Sequence, residues 1–151
     1  MLVVSILLPL AVGGLSAWLT MGSMDQYGAL IQPPLAPPAW VFPAVWTVLY
    51  ILMGVACWLV WKSDAARQDK KRALTLYGLQ LAVNFVWPLL FFGRGWYGVS
   101  FLWLLLLLVL VLATAAAFGR IRKAAAWLLA PYILWLLFAG YLNCAIWLLN
   151  G

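Results

Sequence analysis

Apolar residues run along this chain in five long stretches, interrupted only where charges, glycines or prolines gather. Crossing the hydrocarbon of a bilayer takes roughly 20 consecutive apolar residues in a helix. The pattern therefore predicts membrane-spanning helices over about 2–22, 40–61, 73–92, 96–119 and 124–149. Between the first two, a loop over 23–39 carries Asp25 and the run Pro33-Pro34-Leu35-Ala36-Pro37-Pro38. That run cannot be helical, because proline lacks the amide donor and restrains the residue before it. The second and third spans join through the one strongly polar stretch, Lys62 to Arg72, and the third and fourth through Phe92-Gly93-Arg94-Gly95. Arg120, Arg122 and Lys123 link the fourth to the fifth. The fold class is an all-α integral membrane bundle of five helices in one transmembrane domain, residues 1–151.

The first stretch has no Lys or Arg before it and is longer than the apolar region of a secretory signal, so it reads as a retained helix. The fourth has an unbroken run of leucines from Leu104 to Leu108 and is expected to face lipid most. Small residues four apart, Gly13 with Ala17, Gly78 with Ala82 and Ala113 with Ala117, would let helices approach closely, either within the bundle or at a dimer seam.

Composition agrees with the spans. Of 151 residues 68% are hydrophobic and 8% charged, against about 25% charged in soluble domains. The net charge of +6 does not make a nucleic-acid surface, since the basic residues sit at the ends of apolar runs and not on a solvated face. All nine except Arg94 fall on one side of the bundle, which by the positive-inside rule puts the N-terminus in the cytoplasm and the 23–39 loop and C-terminus outside. Cys57 and Cys144 lie inside apolar stretches and read as small hydrophobes.

Candidate chemistry is bounded by what is missing. There is no His and no Glu, and Asp25, Asp64 and Asp69 all lie outside the spans. General acid-base catalysis, nucleophilic triads and ion-coupled pumping need ionisable groups at the reacting centre or within the membrane. No metal-ligand spacing occurs either.

What the spans do carry is aromatic surface and neutral polar groups. Of eleven tryptophans, Trp40, Trp61, Trp96, Trp103, Trp127 and Trp147 lie toward span ends, as interfacial anchors do. Trp46, Trp87 and Trp135 lie deeper. Helical spacing sets Gln80, Asn84, Trp87 and Phe91 on one face of the third span, and Tyr132, Trp135, Ala139, Asn143 and Ile146 on one face of the fifth. Phe42, Trp46 and Tyr50 do the same on the second. A buried amide in hydrocarbon needs a partner, so these stripes either bond to one another across helices or line a cavity. The small Ala139, beside Trp135, favours a cavity by leaving room.

The runs Pro37-Pro38-Ala39-Trp40-Val41-Phe42-Pro43-Ala44-Val45-Trp46-Thr47-Val48-Leu49-Tyr50, Gln80-Leu81-Ala82-Val83-Asn84-Phe85-Val86-Trp87, Phe91-Phe92-Gly93 and Pro131-Tyr132-Ile133-Leu134-Trp135, with Ala139 and Leu142-Asn143, closely resemble the TspO/MBR family of tryptophan-rich sensory and translocator proteins. The resemblance covers nearly the whole chain. It implies a five-helix bundle, usually a homodimer, whose pocket beneath the first loop binds porphyrins such as protoporphyrin IX, sterols and synthetic drugs. Carried over by position, that pocket includes Trp46, Asn84, Trp87, Trp135, Ala139 and Asn143. The stripes add Phe42, Tyr50 and Gln80.

The chain departs from the family in its first loop. Gln26-Tyr27, Gln32-Pro33 and Leu35 stand where the family usually has a Trp-Tyr pair, a Lys-Pro step and a Trp. No Lys or Arg follows Tyr141, so the cholesterol-recognition pattern of animal members is missing. The expected function is a membrane receptor or carrier of a hydrophobic planar ligand, a tetrapyrrole or a sterol-like molecule, requiring no cofactor. Two alternatives stay open: light- or oxidant-dependent porphyrin breakdown, with Trp46 and Trp135 as electron donors, and a structural or regulatory subunit without a small ligand.

Overall fold

A computed structural model describes residues 2–20 and 41–150. Within them the chain forms five helices and no strands: α1 (Leu2–Thr20), α2 (Val41–Trp61), α3 (Arg67–Pro88), α4 (Tyr97–Ile121) and α5 (Lys123–Asn150). The predicted loop at 23–39 and the flanking 21–22 and Trp40 lie outside the described residues. Helices α2 to α5 are each long and apolar enough to cross a membrane. The 19 residues of α1 rise about 28 Å, close to the ~30 Å of hydrocarbon.

Two boundaries differ from the sequence expectation. Helix α3 begins at Arg67 and not near 73, so its first turns, with Arg67, Asp69, Lys70, Lys71 and Arg72, are helical outside the apolar span. An apolar run marks where the hydrocarbon starts, not where helical hydrogen bonding starts. Asp69 in the first turn suits the positive end of the helix dipole.

At its other end α3 reaches Pro88, which has no N–H to give, and the register then slips into a π turn over Leu89–Gly93. Helix irregularities of this kind survive in membranes when neighbours satisfy the carbonyls left over. Pro88 leaves the Asn84 carbonyl without its helical N–H, and the carbonyls on either side of it take bonds from neighbouring helices: Ser16 Oγ of α1 donates to the Phe85 carbonyl at 3.0 Å, and Trp103 Nε1 of α4 to the Val83 carbonyl at 2.8 Å. Gly95, at φ 66°, then turns the chain into α4, a conformation that favours glycine. Only Arg122, in extended conformation, separates α4 from α5.

Around the bundle the helices neighbour one another in the order α1, α2, α5, α4, α3 and back to α1. Between lipid tails there is no hydrophobic force to press helices together, so close packing and hydrogen bonds carry the association. Gly54 of α2 lies so near α1 that a Cβ there would fall 2.5 Å from the Ser5 carbonyl oxygen and the Ile6 Cα. Met53, Ala56, Val60, Leu107, Phe118 and Ile146 are among the fully buried residues that fill the interior.

Lipid exposure is a correction. Helix α4 is the least buried of the four long helices, as its leucines suggest, but α1 presents more. Among its described side chains only Pro9 and Ser16 are buried. The reason is positional: α1 packs mainly on α2 and touches α3 along a shorter seam.

Candidate functional site

The stripes on α2, α3 and α5 do meet, and hydrogen bonds tie their polar groups together. Tyr50 Oη donates to Asn84 Oδ1 at 2.7 Å, Asn84 Nδ2 donates to Tyr132 Oη at 2.7 Å, and Tyr132 Oη donates to Gln80 Oε1 at 2.9 Å. Every donor in this row points the same way, from α2 through α3 and α5 back to α3. A second cluster surrounds Asn143. Its Oδ1 accepts from Trp87 Nε1 and from Ser100 Oγ, each at 3.0 Å, and its Nδ2 donates to the Tyr97 carbonyl at 2.7 Å. Asn84, Gln80 and Asn143 thus join helices, the first of the two readings left open by their spacing. All three are buried, where an amide without partners would cost about 1–3 kcal/mol.

The open space lies elsewhere. A cavity of about 470 Å³ sits between α1, α2 and the end of α3. Helix α1 lines it with Leu10, Gly13, Gly14, Ser16, Ala17 and Trp18, and α2 with Phe42, Pro43, Trp46, Thr47 and Tyr50. Pro88 and Phe92 close the α3 side. Gly14, Ala17, Trp18 and Thr47 are also exposed on the outside of the bundle, so the cavity opens sideways between α1 and α2, where hydrocarbon would be.

Of the nine residues singled out from sequence, Phe42, Trp46 and Tyr50 line this cavity. Gln80, Asn84, Trp87, Trp135, Ala139 and Asn143 stand behind its wall, and Trp46 is the partition. Its ring stacks on Tyr50 with centroids 5.6 Å apart and meets Tyr132, Trp135 and Trp87 at 6.0, 6.3 and 6.4 Å. Phe42 bridges likewise, edge-on to Trp135 at 5.8 Å and to Phe92 at 5.3 Å. Ala139 is packed into the core of α5.

Polar groups around the cavity are mostly committed. Thr47 Oγ1 returns to the Pro43 carbonyl at 2.7 Å, Ser16 Oγ holds Phe85, and Tyr50 Oη holds Asn84. Against that background the indole N–H groups of Trp46 and Trp135 are buried with no hydrogen-bond partner among the described residues, as are Gln80 Nε2 and Tyr77 Oη. An apolar cavity with aromatic walls and an unspent donor behind them can hold a flat apolar molecule and offer one directional contact. Among the described residues its lining holds no carboxylate, amine or thiol. Among the described residues no group of His, Cys, Asp or Glu could hold a metal ion.

Three contributors carried no clear signal in the sequence. The α1 wall gives no periodic signal because α1 is apolar on every side; Gly13 and Ala17 stand out in the sequence only as a close-packing pair. Ser100 is one small polar residue near the start of a leucine-rich span. Tyr132 lay on the α5 stripe, and its bond to Asn84 depends on tertiary placement.

The fold and cavity define a multi-pass membrane helix bundle with an aromatic-walled site within the bilayer. The family model described as TspO/MBR matches residues 5–148 of the chain. A translocator protein of Bos taurus is 40% identical over 143 residues, covering 93% of this chain and 85% of that protein. The tryptophan-rich protein TspO of Chlorobaculum tepidum is 36% identical, covering 82% and 78%, and that of Archaeoglobus fulgidus is 35% identical, covering 99% and 97%. This chain belongs to the TspO/MBR family, and it is an integral multi-pass membrane protein.

Proposed function

We propose that the protein is a membrane-embedded receptor or carrier for a hydrophobic planar ligand, a tetrapyrrole such as protoporphyrin IX or a sterol-like molecule, with a sensory or transport role. The observation that carries this reading is the cavity of about 470 Å³ walled by Trp46, whose buried indole N–H has no partner among the described residues. Its size lies within the roughly 300–1,000 Å³ of small-molecule sites. Its opening between α1 and α2 suits a ligand dissolved in the membrane. Family membership supports the same reading, since its members here are named translocator and tryptophan-rich proteins.

Titration of the purified protein with protoporphyrin IX, a sterol and an unrelated flat dye, followed by tryptophan fluorescence, tests it. Saturable quenching by one class is expected, and Trp46→Ala weakens it at least about tenfold, the worth of a well-packed aromatic contact plus its buried area. Quenching that never saturates with any of the three rejects the pocket and leaves a structural or regulatory subunit.

Breakdown of a bound porphyrin by light or an oxidant is a second reading, favoured by the ring contacts that link Trp46 to Tyr50, Tyr132 and Trp135. Such a row of oxidisable rings lets Trp46 give up an electron and be refilled from behind. Loss of porphyrin absorbance on illumination, abolished in Trp46→Phe while binding persists, selects this reading over a passive carrier.

A homodimer is proposed with its seam on α3. Gly78 and Ala82 are exposed, and nothing lies within 4 Å of a Cβ placed on Gly78, whereas Gly13 is turned inward against Tyr50. A cytoplasmic N-terminus is proposed on the strength of the basic residues in the α2–α3 and α4–α5 connections.

A further inference from the structure

The charged end of the bundle separates its charges by helical phase. Along α3, Arg67, Lys70, Lys71 and Leu74 recur at the spacing i, i+3, i+4, i+7 that defines one face, and Asp69 and Arg72 fall on another. The first face, together with Gln68 and with Trp61 from the end of α2, lines an open groove of about 940 Å³. The second lines a separate pocket of about 450 Å³ with Asp64 and with Arg120 of α4. Both carboxylates of the α2–α3 connection therefore belong to the pocket, and the groove lining holds three cations and no acid.

The groove is also amphipathic along its length. Lys70 Nζ donates to the Trp61 carbonyl at 3.2 Å, closing the end of α2 and tying the two walls together. Arg67 and Lys71 are exposed, the Trp61 ring is 57% exposed, and Leu74 is half-buried one turn further into the apolar span. Cations thus meet an indole and a leucine at the level where the helices enter the bilayer. A small inorganic anion would use only the cationic half of this groove.

We propose that this groove seats the headgroup of an anionic phospholipid, with its phosphate against Arg67 and Lys71 and the start of an acyl chain along Trp61 and Leu74. Basic clusters at membrane entry points attract anionic lipid at roughly 1 kcal/mol per Lys or Arg near the surface, about a thirtyfold preference for two cations. The site is remote from the α1–α2 cavity and does not depend on the ligand reading.

Native mass spectrometry of the full chain released from detergent, with phosphatidylglycerol and phosphatidylcholine of matched acyl chains in equal amounts, tests it. About thirtyfold more retained phosphatidylglycerol is expected, falling to near parity in R67Q/K71Q, which keeps the Lys70 contact, and unchanged in the equally neutralised R120Q/R122Q. In the unmodified chain the preference also shrinks as salt rises from 0.1 M to 1 M before release, as screening requires. Equal retention of the two lipids, an equal loss in both variants, or displacement of the lipid by inorganic phosphate at matched concentration overturns the proposal.

Discussion

The seam between α1 and α2 and the seam joining α3, α4 and α5 are closed by different means. On the α3–α4–α5 side, Asn143 is fully buried and ties Trp87, Ser100 and the Tyr97 carbonyl into one cluster, and Trp103 caps a carbonyl of α3. On the α1–α2 side, backbones touch at Gly54 and then diverge around open volume, and the Ser16 hydroxyl of α1 reaches past α2 to the Phe85 carbonyl. In a bilayer, where lipid tails are as apolar as leucine, side-chain hydrogen bonds and tight packing set helix affinity. The first seam is therefore the adaptable one and the second the fixed scaffold. Trp46 stands on the border and takes part in both.

The strongest way to break that division is to cut the scaffold. Asn143→Ala removes the acceptor of two donors and the donor of one acceptor, all in a water-free interior. Interhelical bonds in membranes average about 0.6 kcal/mol and reach about 1.7, and each orphaned group adds its own penalty, so a loss of about 2–4 kcal/mol is expected. Denaturation of the reconstituted protein by a graded detergent mixture measures it, with ligand binding lost only as the fold is lost. A stable variant with weakened binding would mean that Asn143 meets the ligand directly.

Next in size is a substitution aimed at the adaptable seam alone. Gly14 lines the cavity, and a Cβ there meets none of the described residues within 4 Å. Gly14→Phe should fill the space with an aromatic ring and lower affinity for the quenching ligand about tenfold, while stability stays within about 0.5 kcal/mol, the usual range for a substitution without clash. Unchanged affinity would place the ligand elsewhere. Smaller again is Gly78→Leu, whose bulk lies on the outer face of α3. It should shift the protein from dimer to monomer in detergent by light scattering and leave ligand affinity intact; a persistent dimer moves the seam off α3.

The same division governs how much could be read from the sequence. Spans announce themselves through apolar length, and α2, α4 and α5 fall within a few residues of expectation. The water-exposed start of α3 at Arg67 was not visible, since apolar runs report solvent and not hydrogen bonding. Phe42, Trp46 and Tyr50 stood out because aromatic residues recurred at helical spacing on a span, and they line the cavity. Asn84, Gln80 and Asn143 stood out for the same reason, but spacing alone does not say whether an amide faces a void or a neighbour's tyrosine. The α1 wall left no trace because it is made of Gly, Ala and apolar residues whose contribution is the absence of bulk. Nor could Ser16 be anticipated, as its partner is a carbonyl in the turn that Pro88 disturbs.

The finest test falls on Trp46 itself, where the two seams meet. Trp46→Phe keeps an aromatic ring between cavity and core but deletes the indole N–H, which has no partner among the described residues. Removing an unbonded buried donor relieves its desolvation penalty, so the variant should be as stable as the parent or slightly more so, by up to about 1 kcal/mol. If a ligand acceptor bonds to that N–H, affinity should fall by about three- to tenfold, the net worth of one hydrogen bond, with the saturating signal otherwise preserved. The two effects have opposite signs. Calorimetric titration alongside thermal unfolding separates them: a stability gain with no loss of affinity would make Trp46 a wall only, whereas a gain with the loss would show that the fixed scaffold keeps one donor unspent for the occupant of the adaptable seam.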